Sequence, residues 1–342
     1  MSRIAIIGLG LIGGSIGLAL KRAQIDGLEI VGHDVEWGTV GRARKLGAID
    51  AEARDVASAV DGAAVVVIAT PIIQARKALE EIAPAVGDGA VVTDTASTKC
   101  QVLRWAEEIL PREVAFVGGH PIAGKEQSGI DAADATLFEG QPWALIPSVH
   151  ASERAIKTIE NLVALVGARP VVIDPEEHDS YLAAVSHLPM LLSTALFRLA
   201  SKGDSWPELA VLAGPAFRDI TRLASGDPNL SHDICLTNRE NLLHWLDRYR
   251  AELRELRDLI AGSETDEELY ELFVRAQADR DTFVREPPSR AGPERETDIP
   301  SVGERMMGLL VGEYVVRRTK ELEELMGQRA DDAERRRGRK QG

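Results

Sequence analysis

The sequence is poor in cysteine, in aromatic side chains and in net positive charge. Its two cysteines in 342 residues, Cys100 and Cys235, form neither a disulfide framework nor a redox or metal-type spacing, and they suit a reducing cytosol. Lys and Arg number 40 against 54 Asp and Glu, a net charge of −14. That balance argues against nucleic acid as a partner, and it means that an anionic ligand must be drawn by a local basic pocket rather than by the overall field. No apolar run reads as long enough for a membrane span. An apolar strand begins within three residues of Met1, which leaves no room for a signal peptide. These features predict a cytoplasmic protein with no membrane segment. No metal-ligand cluster, triad spacing or internal repeat is visible.

What is present is an ordinary globular composition, 44% apolar and 27% charged, with length for about two domains. The stretch around which the chain is organised is Ile4 to Leu20, IAIIGLGLIGGSIGLAL. Four apolar residues run into Gly8-Leu9-Gly10-Leu11-Ile12-Gly13, and a helical pattern follows. The first glycine permits the turn, the second lets backbone approach a pyrophosphate, and Gly13 lets helix and strand pack closely. The N–H groups of the helix start, at Leu11 and Ile12, then point at the phosphates. A second strand, Leu28 to His33, ends at Asp34, 21 residues past Gly13, where a ribose-binding acid belongs. The residues after it, Val35-Glu36-Trp37, offer no arginine to neutralise a 2′-phosphate, so the cofactor reads as NAD rather than NADP. Arg42 and Arg44, further on, are the features that oppose this reading.

Residues 1–173 alternate strand and helix. Runs at Ala64–Ala69, Ala90–Asp94, Val114–Val117, Trp143–Ile146 and Val171–Ile173 read as strands. This is the pattern of an α/β fold with a doubly wound, mostly parallel sheet, whose ligands lie beyond the carboxyl ends of the strands. Thr70-Pro71 ends one strand at that crevice and joins the cofactor-binding set. Residues 174–285 read as all-α, with helices over Glu176–Ser201, Trp206–Ala224, Leu230–Ala261 and Asp266–Arg285. Leu242, Trp245, Leu246, Tyr249, Leu253 and Leu256 form an apolar stripe suited to a core or a subunit interface. Residues 286–342 read as a proline-rich linker, a helix over Val302–Met326 and a charged tail.

Three loops carry candidate chemistry. Thr93–Lys99 follows a strand and opens a helix; Ser97 can donate to a substrate oxygen and Lys99 is the nearest fixed cation, although taken alone the segment is ordinary helix-capping chemistry. In Gly118–Glu126, His120 stands at a strand end, placed for acid–base work near neutral pH. In Ala213–Arg222, Asp219 and Arg222 are i,i+3 neighbours on a helix. His187 adds a histidine in Ser186-His187-Leu188-Pro189, and His232 and His244 read as structural.

Together GLGLIGGS, GHD at 32–34, DTASTK at 94–99, GGHPIAGKEQSG at 118–129, SHLP at 186–189 and FRDITRLASGDPNL at 217–230 resemble the prephenate/arogenate dehydrogenases of tyrosine biosynthesis, over roughly residues 3–285. The resemblance implies an N-terminal Rossmann-type domain, a C-terminal all-α dimerisation domain and a homodimer. It implies NAD-dependent oxidative decarboxylation of prephenate, or of arogenate by the same chemistry. His120 matches the catalytic histidine and Ser97 the serine beside it. Arg222 matches the arginine that grips a substrate carboxylate, Glu126 and Asp219 match acids that position it, and His187 matches a second pocket histidine. Lys125, in the loop after His120, is expected to disfavour the ammonium of arogenate. Where many relatives carry a histidine three residues after His187, this chain has Met190. β-Hydroxyacid dehydrogenases and imine reductases share the general layout but lack the HPIAG and SHLP blocks. A non-catalytic NAD-binding protein would not need His120 and Arg222.

Overall fold

The computed structural model describes residues 2–125, 127–262 and 265–286. The helix read over Val302–Met326 and the charged tail lie outside the described residues, as does nearly all of the linker. The described residues form two compact units, one of residues 2–179 with Ser225–Thr237, the other of Ser180–Ala224 with the described residues after 237. Residues 174–285 therefore contribute to both.

The first unit opens with β1 (Ser2–Ile7), α1 (Leu11–Arg22), β2 (Leu28–His33), α2 (Trp37–Lys45), β3 (Ala51–Glu52), α3 (Val56–Val60) and β4 (Ala63–Ile68). It continues through α4 (Ile72–Ile82), β5 (Val91–Asp94), α5 (Cys100–Ile109), β6 (Ala115–Pro121), β7 (Pro142–Pro147), α6 (Glu153–Leu165) and β8 (Arg169–Val172). The eight strands lie in the order β3-β2-β1-β4-β5-β6-β7-β8. Every neighbouring pair is parallel except β6–β7. Ile4, Ile6, Ile30, Val65 and Val67 are buried in the middle of the sheet, with Ile16 and Leu20 of α1 packed against them. Covered strands are built from such continuous apolar runs. The strand order reverses direction between β1 and β4, which opens a crevice past their carboxyl ends.

Two features of this unit depart from the sequence reading. The short β3 and α3 carry too little apolar pattern to stand out. The strand expected over Val114–Val117 runs on to Pro121, so His120 lies within β6 rather than in a loop after it. Parallel pairing with β5 stops at Phe116, but antiparallel pairing with β7 carries β6 forward from Val117 to Pro121.

One helical run starts in the first unit and continues into the second: α7 (Pro175–Leu182), a π turn over Ala183–His187, then α8 (Leu188–Ser201). The whole run, Pro175–Ser201, is long and apolar enough by length and composition to cross a membrane, so the expectation that no apolar run approaches that length does not hold. Then come α9 (Trp206–Val211), α10 (Pro215–Thr221), α11 (Pro228–Thr237), α12 (Arg239–Ala261) and α13 (Asp266–Arg285). The single helix read over Trp206–Ala224 is broken at Gly214-Pro215. Gly214 is extended and Pro215 starts a new helix, as the steric demand of proline on its predecessor requires. The helix read over Leu230–Ala261 is broken at Asn238, which lies outside helical geometry and shares its side chain with His187 and Asn241. Phe197, Trp206 and Phe217 stack together inside the second unit. Leu242 of the apolar stripe is buried and Leu253 is exposed.

Candidate active site

The glycine turn is shaped by backbone on one side and by open space on the other. Gly8 has φ +93°, and a Cβ there would lie 2.6 Å from the Ala69 carbonyl oxygen. A Cβ on Gly13 would lie 1.9 Å from the Gly8 oxygen. Gly10 has nothing within 4 Å of its Cβ position, so the turn is open there, and the residue lines both of the cavities that meet at it. No side chain caps α1, and its first N–H groups remain available to an anion. Asp34 is tied to this turn: its Oδ2 accepts from the Leu9 N–H at 2.8 Å and its Oδ1 from the Glu36 N–H at 2.9 Å. Arg42 is engaged by Asp131 at 2.7 Å and Arg44 approaches Glu52 at 3.9 Å. Of the two cations that opposed NAD, Arg42 is thus paired with an acid of its own, and Arg44 has one only at the outer limit of an ion pair.

Two cavities meet at this turn. The larger, about 650 Å³, is lined by Gly8, Gly10, Asp34, Thr70, Pro71, Lys77 and, from α11, Asn229, His232 and Asp233. The smaller, about 350 Å³, is lined by Gly10, Leu11, Ile12, Thr70, Pro71, Ser97, His120, Lys125 and Asp227. Gly10, Ala69, Thr70 and Pro71 line both. An extended dinucleotide fits this pair of spaces, with a ribose acid at one end and a histidine at the other. Among the described residues no group of His, Cys, Asp and Glu could hold a metal ion.

His120 is held through a chain of side chains. Its Nδ1 meets Nε2 of His178 at 2.9 Å, and Nδ1 of His178 meets Oδ1 of Asp179 at 2.8 Å. The Asp179 carboxylate also accepts the N–H of Lys99 at 2.7 Å and of Cys100 at 2.9 Å, at the start of α5. Burial would raise the Asp179 carboxyl, but hydrogen bonds from His178, Cys100 and Lys99 outweigh it and hold the group below its ordinary range. A carboxylate accepts only, so a neutral His178 donates from Nδ1 and accepts at Nε2. A neutral His120 then donates from Nδ1 and keeps its lone pair at Nε2. This is the tautomer of a general base.

Lys99 does not face either cavity. Its ammonium is buried against the Asp94 carboxylate and the Gly119 carbonyl, so the expectation of a fixed cation for substrate is not met there. Lys125 does line the smaller cavity, where it pairs with Asp134 at 2.8 Å. The Lys125 and Thr136 hydrogen bonds hold Asp134 well below the usual carboxylate range. Glu126 lies outside the described residues. Ser97, His120 and Lys125 are thus brought together in the first unit, with Gly10, Leu11, Ile12, Thr70 and Pro71. His187, Asp219 and Arg222 belong to the second unit. There His187 closes the π turn, with Nδ1 3.2 Å from the Asn238 amide nitrogen. Asp219 is exposed on α10, and Arg222 opens a 3₁₀ turn.

Residues 16–172 match the family described as "Prephenate dehydrogenase, nucleotide-binding domain", and residues 174–275 match "Prephenate dehydrogenase, dimerization domain". The chain belongs to the prephenate dehydrogenase family. It is 37% identical over 280 residues to the prephenate dehydrogenase of Bacillus subtilis, covering 81% of this chain and 75% of that one. Among solved structures it is similar to prephenate dehydrogenase from Aquifex aeolicus in complex with hydroxyphenyl propionate and NAD⁺, with TM-score 0.77 and 31% identity over 83% of this chain and 98% of that one. It is also similar to Synechocystis arogenate dehydrogenase, with TM-score 0.70 and 30% identity over 82% and 99% of the two chains.

Against this prephenate dehydrogenase family background, the sequence reading missed several residues that line or support the cavities, His178, Asp179, Asp227, Asn229, His232 and Asp233 among them. His178 and Asp179 stand side by side within α7, 58 and 59 residues after His120, with no spacing that links them to it. His232 read as structural but lines the larger cavity, and Asp227 lines the smaller one. The DPNL segment could have pointed to α11, since it belongs to the last of the blocks that carry the resemblance.

Proposed function

We propose that this chain is an NAD-dependent prephenate dehydrogenase that carries out oxidative decarboxylation of prephenate in the cytoplasm as a homodimer. The observation that carries the reading is the buried His120, held through His178 by Asp179, on a cavity that Ser97 also lines and that shares Gly10, Thr70 and Pro71 with the one that Asp34 lines. Gly8, Gly10 and Gly13 with the Leu11-Ile12 helix start would hold the pyrophosphate, Asp34 the adenosine ribose, and Thr70-Pro71 the floor between the two cavities. When bound, NAD⁺ supplies the hydride acceptor. His120 Nε2 takes the proton of the ring hydroxyl as hydride leaves the carbon that bears it. Loss of the ring carboxylate as CO₂ then returns an electron pair through the ring to that oxygen, and His120 gives the proton back to form the phenol. Ser97 orients the hydroxyl. The family resemblance assigns Arg222 the grip on a substrate carboxylate, Asp219 and Glu126 the acids that position it, and His187 a further pocket role. The free thiols of Cys100 and Cys235 suit the reducing compartment.

NADH formation from prephenate tests the reading. His120→Asn is expected to lower kcat about 10²- to 10⁴-fold with NAD⁺ affinity little changed. Formation of NADH only from a hydroxyacid, or full activity of the variant, would overturn it.

Arogenate is the second reading, and Asp227 is the observation that favours it. Its carboxylate lines the same cavity as Ser97 and His120 and can pair with an ammonium. Lys125 opposes it, but the Asp134 partner cancels much of the lysine's field. Prephenate is expected to have the higher kcat/KM, and Lys125→Asp is expected to move selectivity several-fold toward arogenate. A wild-type preference for arogenate that Asp227→Asn abolishes would decide for the second reading.

A further inference from the structure

After Trp143, Lys99 is the largest fully buried side chain among the described residues, 1% exposed, and it lines neither cavity. Burying an ammonium is costly, and a buried ion pair is no guarantee of stability, since apolar replacements are often as stable. What this pair holds is therefore informative. Asp94 Oδ1 accepts the Gly119 N–H at 3.1 Å, and the Lys99 ammonium donates to the Gly119 carbonyl at 2.6 Å while pairing with Asp94 Oδ2. Both main-chain polar groups of Gly119 thus end on the pair. The β5–β6 ladder has already stopped at Phe116, so Asp94 and Lys99 take the place of the missing strand contacts immediately before His120. The same residue also acts through its main chain. The Lys99 N–H donates to Asp179, which fixes His178, which fixes the His120 ring.

We propose that Lys99 is a positioning residue for His120, its side chain fixing the peptide before the histidine and its main chain fixing the relay behind it. The assignment rests on the reading of His120 as the acid–base residue. A displaced base loses rate without losing binding, and misplacement by about 1 Å can cost about 10²-fold. Lys99 is buried and lines neither cavity, so KM should not follow kcat.

The test is a double-mutant cycle of Lys99→Met and His120→Asn with kcat, both KM values and thermal unfolding measured for each. Lys99→Met is expected to lower kcat about 10- to 10²-fold and to change the KM for prephenate and for NAD⁺ less than about threefold. Lys99→Arg should recover part of the loss. In the His120→Asn background Lys99→Met should cost nothing further, because residues acting as a unit are non-additive. Equal losses in both backgrounds, or a wild-type kcat in a folded Lys99→Met, would overturn the proposal. If Lys99→Met does not fold, Lys99→Gln, which keeps one donor, enters the same cycle under the same criteria. A His120→Asn enzyme with wild-type kcat would instead overturn the reading of His120 itself, an outcome distinct from loss in His120→Asn without loss in Lys99→Met.

Discussion

The tautomer of His120 is set at Asp179, two hydrogen bonds away. Replacing that carboxylate with an amide breaks the rule that the group only accepts, so His178 is free to reverse and His120 loses its fixed lone pair at Nε2. Asp179→Asn is expected to lower kcat at least about tenfold with the KM for NAD⁺ unchanged, measured as NADH formation at saturating prephenate. Stability should respond as well. The carboxyl is held below its ordinary range, so its contribution is complete above the unfolded value of about 4 and fades as pH falls through the lowered folded value. Urea unfolding at pH 7 and near pH 3 should therefore show wild type and Asp179→Asn far apart at neutral pH and closer in acid; a constant gap would refute the assignment. At this scale Ser97 and His120 were legible because each sits in a motif at a strand end. Lys99 was legible as a charge but not in its direction, since only the fold turns a side chain inward. His178 and Asp179 were not legible, because their role depends on a contact across 58 residues.

Among the secondary elements, α11 shows how a helix can be correctly read and wrongly bounded. The apolar spacing from Leu230 runs through Asn238 without interruption, so one long helix is the natural reading. The structure breaks it at Asn238 and groups Ser225–Thr237 with the first unit. Two side chains attach α11 there. Asp233 accepts the Ile73 N–H at 3.1 Å, capping α4 where Pro71 offers no side-chain cap, and Thr237 meets Thr98 at 2.8 Å. Asp233→Ala is expected to destabilise the protein by about 1 kcal/mol, read as a lower urea midpoint at constant slope. Because α11 lines the larger cavity through Asn229, His232 and Asp233, the KM for NAD⁺ should rise with it. A stability loss without any change in NAD⁺ binding would limit Asp233 to capping. The sheet itself was largely legible, since covered parallel strands are uninterrupted apolar runs. The extension of β6 was not, because it is dictated by β7 rather than by residues 118–121.

At the scale of the whole molecule, the second unit exposes large apolar side chains on several of its helices, the kind of surface that marks an association site when contiguous. Leu199, Val211 and Leu212 are 78%, 85% and 84% exposed, and the match to a dimerization domain covers residues 174–275. The apolar stripe on α12, read from the sequence as core or subunit interface, is buried at Leu242 and exposed at Leu253, while α8 and α9 hold more exposed apolar positions. The expected state is a homodimer at micromolar concentration. Its charge makes this prediction sharper: each chain carries a net charge of −14, so two copies repel at long range and association must come from apolar burial. Salt screens the repulsion, with a Debye length falling from about 30 Å at 0.01 M to about 8 Å at 0.15 M, and leaves the apolar contribution in place. Dimer affinity should therefore strengthen as salt is raised, the reverse of an interface built on ion pairs. Sedimentation equilibrium across that range, on wild type and on Leu199→Glu/Val211→Glu, measures it. Wild type should show twice the single-chain mass with affinity rising in salt, the double variant should dissociate, and the melting temperature of wild type should rise with protein concentration. A wild type that stays monomeric, or a dimer that salt weakens, would remove the apolar interface from the account.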